Sequence, residues 1–159
     1  MSFVDWALAV HVLTAFAYVA GLVIFSVLVV AVRGVDTPEA TLRMEPIVKV
    51  GSVAVGIGAA GTIVIGIYLA FAVDSYAIWD GWIIAALVLW AIAGGLGQRT
   101  GAAYMQGMNK AKELDAAGRT GPDQELLALN RTRTGVILHT LASLAVLLLL
   151  VDMIFKPGA

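Results

Sequence analysis

The two histidines of this 159-residue chain, His11 and His139, both fall inside long apolar stretches. An imidazole among hydrocarbon side chains is costly and normally faces the interior of a bundle. Thr14, Tyr18 and Gly21 follow His11 at i+3, i+7 and i+10, which puts polar and small groups on one stripe of a helix. Such a stripe can orient an imidazole for heme or metal ligation or for proton transfer, or hold a neutral histidine in a packing seam. His139, with Ser143 one turn later, offers a second but weaker ligand and otherwise reads as a histidine satisfied by packing. Helical rise places His11 about 8 Å deep from Trp6 and His139 about 9 Å deep from Arg133 on the opposite side. Across about 30 Å of hydrocarbon they differ in depth by roughly 13 Å, too much for both to ligate one iron.

Other chemistry is thin. Asp152 and Lys156 lie four apart near the end of the last apolar run, a spacing that permits an ion pair and suits a terminal anchor. No Asp, Glu, Lys or Arg falls at mid-stretch, where ion-coupled transporters carry such groups. The chain has no cysteine, which excludes thiolate metal sites and cysteine nucleophiles, and it contains no phosphate loop, HExxH or nucleophile elbow.

The elements that must position these residues follow from composition. With 60% hydrophobic and 13% charged residues, the chain has too much apolar surface for a soluble fold of this size. Four stretches lack Asp, Glu, Lys and Arg: 6–32, 50–73, 81–98 and 134–151. Each meets the length of about 18 residues that a spanning helix needs, and none shows the alternating ten-residue pattern of a β-barrel strand. No basic n-region precedes the first run, which is far longer than a signal peptide's apolar core and is expected to be retained. The whole chain, 1–159, reads as one transmembrane domain.

Arg33, Arg43 and Lys49 lie between the first two stretches; Arg99, Lys110, Lys112, Arg119, Arg131 and Arg133 lie between the last two. The connection 74–80 and the N-terminus have no Lys or Arg, and the C-terminus has only Lys156. The positive-inside rule then puts both termini outside. Trp6, Tyr76, Trp79, Trp82 and Phe155 would gather at the outer headgroup layer, where amphipathic rings are favoured. Net charge is -1, so nothing points to a nucleic-acid partner.

Asp36-Thr37-Pro38-Glu39 predicts a short surface helix ending before Glu45-Pro46. Tyr104, Met108, Ala111 and Leu114 extend the third helix into the cytoplasm, Gly118 to Asp123 makes a turn, and a helix opened by Pro122-Asp123 runs on into the fourth span. A cytoplasmic helical hairpin between helices 3 and 4 results. In the second stretch Gly58, Thr62 and Gly66 recur at i, i+4 and i+8, with Ser52, Gly56 and Ala60 on a neighbouring line. Small residues so spaced allow close helix approach, within the bundle or at a homodimer, or against a flat cofactor. Gly94, Gly95 and Gly97 mark a packing face or a weak point in the third helix.

His11, Tyr18 and the Ala20-Gly21-Leu22 triplet resemble the opening of a group of small bacterial membrane proteins. The group includes the HemJ-type protoporphyrinogen oxidases, the membrane domain of copper-resistance protein D and a family of predicted integral membrane proteins of unknown function. The chain is most similar to that last family, which Thr62 to Phe71, Trp82 to Trp90 and Asp152 to Pro157 also resemble. Likeness to the HemJ-type enzymes implies heme b with His11 as axial ligand. The sequence departs from them in lacking an arginine and a histidine over Ser26 to Val32 and a lysine in the third helix.

The expectation is therefore an all-α integral membrane four-helix bundle, N-out and C-out, in a bacterial cytoplasmic membrane. Its leading function is non-enzymatic, as an oligomer or a small subunit of a membrane complex. A heme b redox protein using His11, and copper or small-solute passage, are the alternatives.

Overall fold

A computed structural model describes residues 2–157. Helix α1 spans Phe3–Val32, α2 Pro38–Leu42, α3 Glu45–Ala72, α4 Gly81–Ala116, α5 Gln124–Asn130 and α6 Arg133–Phe155, with no strand among the described residues. Helix α1 starts three residues before the apolar run, because a capping box sets its end. Ser2 Oγ accepts the Asp5 N–H at 3.2 Å and Asp5 Oδ2 accepts the Ser2 N–H at 2.6 Å. Thr37 stands at the N-cap of α2 with Pro38 in its first turn, and Pro46 lies in the first turn of α3. Helix α4 runs 36 residues, well past the apolar stretch 81–98.

One expected continuous helix is broken. Asp123 does open a helix, its Oδ1 accepting the Leu126 N–H at 2.9 Å, but that helix, α5, stops at Asn130. Thr132 then leaves the helical region and caps α6, its hydroxyl accepting the Gly135 N–H at 3.3 Å. The inward pull on Asn130 and the capping preference of threonine outweigh helix continuation here.

Four segments, Phe3–Val32, Pro38–Ala72, Gly81–Ala116 and Gln124–Phe155, are long and apolar enough to cross a membrane. Most of each is not covered by protein: Phe16, Val30, Val64 and Phe71 are among many large apolar side chains facing outward. A soluble monomer does not expose such a continuous apolar surface, whereas lipid tails solvate it. The fold is that of a multi-pass membrane protein.

The helices form two antiparallel pairs, α1 with α3 and α4 with α6. In the first pair, glycine lets the backbones meet. A Cβ on Gly21 would lie 2.7 Å from Val55 Cγ2 and 3.0 Å from the Gly51 carbonyl. A Cβ on Gly58 would strike the Tyr18 backbone, and one on Gly61 would strike Thr14. The second pair packs through small residues, Ala93 meeting Ala145 and Val146. The pairs are tied at mid-depth by Tyr18 in that same cluster and by the Trp90 indole donating to the Ala59 carbonyl at 3.2 Å. They are tied again by Ser26 Oγ and His139 Nε2, 2.9 Å apart.

At the charged end the pairs are clamped. Asn130 is buried, its Nδ2 donating to the Val35 carbonyl at 2.9 Å and to Thr41 Oγ1 at 3.1 Å. Arg131 Nε donates to the Arg33 carbonyl at 2.9 Å and the Asp123 N–H to the Asp36 carbonyl at 2.8 Å. Leu126, Leu114 and Ala111 pack beside Leu42 beneath these bonds.

Candidate functional site

Toward the end that bears both termini a cavity of about 590 Å³ lies between the two pairs, which still meet beside it where Ala70 of α3 packs with Trp82 and Ile83 of α4. Its wall comes from all four long helices and the 73–80 connection. Helical rise gives it a depth of about 15 Å, from Lys156 at the rim to Val146 at the floor on α6. The lining is apolar, with Leu8, Phe16, Ile67, Leu87, Leu149 and Met153 representative, and polar groups are few: His11, Tyr18, Thr62, Tyr76, Trp82, Trp90 and Lys156. A mostly apolar hollow with a few placed polar groups is the form of a small-molecule site.

His11 is buried in this wall. Helix α3 positions it: the imidazole packs on Gly66, where a Cβ would lie 3.0 Å from Cε1 and 3.5 Å from Nδ1. Its carbonyl accepts the Thr14 hydroxyl at 2.8 Å, and Thr14 in turn touches Thr62, whose hydroxyl donates to the Gly58 carbonyl at 2.6 Å. His11 Nδ1 is buried with no hydrogen-bond partner among the described residues.

At the rim the chain makes a cage that the sequence did not reveal. Lys156 Nζ donates to the Tyr76 hydroxyl and sits 4.6 Å from the Tyr76 ring centroid and 5.4 Å from that of Trp82. The two rings meet edge to face at 5.1 Å. The ion pair that the Asp152–Lys156 spacing permits does not form. Lys156 ends the helix with φ of 42°, in the left-handed region, so its side chain leaves the face that Asp152 occupies. Pro157 follows and bars further helix. The aromatic belt and the terminal lysine were both legible signals, but each read separately as an anchor.

The remaining sequence candidates divide. Tyr18 lines the cavity floor together with His11, whereas Gly21 lies outside the cavity, in the α1–α3 seam. Gly58 and Thr62 belong to that seam, and Gly66 and Thr62 also face the cavity. His139 is bonded to Ser26 beyond the cavity floor, so the two histidines are not brought together. Gly94, Gly95 and Gly97 have open space around them. Among the described residues no group of three His, Cys, Asp or Glu side chains is placed to hold a metal ion.

No family model, curated protein or solved structure matches the chain.

Proposed function

We propose that this chain is a non-enzymatic membrane bundle that holds an apolar molecule between its two helix pairs, alone as an oligomer or beside a larger complex. The observation that carries this reading is the 590 Å³ apolar cavity, walled by all four long helices and closed by a packed floor. The hollow is open on one side, with the lining side chains Leu8, Phe16 and Ile67 exposed, so an apolar molecule can occupy it. A guest can enter laterally from the bilayer, since the same helices face lipid over the rest of their surface. The clamp of α2 and α5 joins the pairs at the far end, and Ala70 packed with Trp82 and Ile83 joins them beside the cavity. With Lys and Arg concentrated at the clamp, the cavity belongs to the outer half of a bacterial cytoplasmic membrane.

Trp82 and Trp90 line the cavity and report occupancy. Titrating the detergent-purified protein with a bromoalkane should quench their emission saturably, and Ala15→Phe, which fills the wall, should abolish the saturable part. Quenching that grows linearly in both proteins would reflect partition into detergent alone and overturn the reading.

A second reading rests on His11, whose Nδ1 lacks a partner in the same wall. The residues fit a heme held by one axial imidazole: His11 as ligand, apolar walls around the macrocycle and Lys156 at the rim for a propionate. Bound there, heme would supply electron transfer, while this chain would position the imidazole and exclude water. Incubation with hemin should then yield a Soret band that His11→Ala removes. A band equal in both proteins, or none, discards heme.

A further inference from the structure

We propose that the occupant of the cavity is an amphiphile with an oxyanion head, its tail between the helix pairs and its head on Lys156; this rests on the reading that the cavity takes a guest. Among the described residues Lys156 is the sole charged group of the cavity wall. No carboxylate of the described residues lies within ion-pair distance of it. Asp152, one turn earlier, is buried in α6, and Asp80 is engaged in its own turn, Oδ2 accepting the Ala77 N–H at 2.9 Å. An ammonium has three donors. Tyr76 accepts one, and the rings of Tyr76 and Trp82 hold the charge through their faces without neutralising it.

Two features set the surroundings of this lysine. A non-glycine residue rarely adopts the left-handed region except where a helix ends. Lys156 takes that conformation as the residue that ends α6, and the turn brings its ammonium against Tyr76 and Trp82 at the cavity mouth. Beside it the Trp82 indole N–H, a donor only, is buried with no acceptor among the described residues. The ammonium and its two unused donors match a carboxylate or a phosphate. Asp152 Oδ2 is also buried without a hydrogen-bond partner among the described residues, but it makes no ion pair with Lys156. A neutral lipid leaves the ammonium uncompensated, and a zwitterionic head brings a second cation to it.

The test uses the full chain with Trp6→Phe and Trp79→Phe, two exposed rings outside the cavity, so that emission comes from Trp82 and Trp90. Three brominated probes with the same tail are titrated at pH 8: a fatty acid, its methyl ester and an alkyl phosphate. At least one of the two anions should bind about tenfold more tightly than the ester, the scale of a charge-assisted hydrogen bond. Which anion wins names the head. Lys156→Met should bring that anion down to the ester's affinity without changing the ester, whose unchanged quenching shows that the variant is folded. Lys156→Arg should keep the preference. Equal binding of all three probes to the unsubstituted lysine overturns the head assignment and leaves the cavity reading intact. Absence of saturable quenching by any probe overturns both.

Discussion

At the scale of single residues, the α1–α3 seam discriminates sharply between glycines that look alike in sequence. Gly56 and Gly58 are two apart on the same helix, yet a Cβ meets open space at the first and the Tyr18 backbone at the second. Gly58→Ala should therefore lower thermal stability in detergent by about 1–3 kcal/mol, because neither backbone can yield cheaply. Gly56→Ala should leave it unchanged or raise it by about 0.5–1 kcal/mol, since alanine loses less conformational entropy in a helix. Melting curves in one detergent decide the matter, and equal losses in the two variants would refute the seam. Spacing alone identified the line Gly58, Thr62, Gly66 as small and close-packing. It did not show that Gly61 and Gly51 also face the first helix, because a 3.6-residue period cannot say where a crossing is centred.

At the scale of elements, the clamp makes two predictions of different kinds. Asn130→Ala leaves the Val35 carbonyl and the Thr41 hydroxyl without their donor in a buried place, a loss of about 1–3 kcal/mol. Hydrogen exchange should quicken in 33–43 and 124–132 and stay slow in α1 and α3 beyond the clamp; uniform quickening would show that the clamp is not a separate unit. Acid should loosen α5 as well. The Asp123 carboxyl is held below its ordinary value of 3.8, first by the Leu126 N–H that it accepts and then by the charge of Arg119. A carboxyl depressed in the fold contributes stability that is complete above 3.8 and disappears as pH falls through its lowered value. Exchange of the Leu126 amide should rise across that acid window, and Asp123→Asn, which keeps a capping oxygen without the proton, should flatten the dependence. The opening of α5 at Asp123 and the start of α2 at Thr37 and Pro38 were legible because capping chemistry is local. The break at Thr132 was not, because it depends on Asn130 reaching Val35, 95 residues away.

At the scale of the whole molecule, the four spans were plain in the sequence because lipid demands long uncharged helices, and little else satisfies the backbone there. The cavity was not, since it depends on how the two helix pairs pack against each other, and apolar side chains read alike whether they face a void, a neighbour or lipid. The orientation proposed for it across the bilayer rests on charge. Nine of the ten Lys and Arg residues flank the clamp end of the spans, and Lys156 alone lies at the cavity end. Because the chain lacks cysteine, single substitutions give clean reporters. Ser75→Cys, in the exposed connection near the rim, should react with a membrane-impermeant maleimide on intact cells, and Ala117→Cys, beyond α4, should react only after lysis. That pattern opens the cavity to the outer leaflet and gives an amphiphile from that side the shortest route to Lys156. The opposite labelling would place Lys156, Tyr76 and Trp82 at the cytoplasmic face, so that any guest would arrive from inside the cell and the charge asymmetry would need another cause.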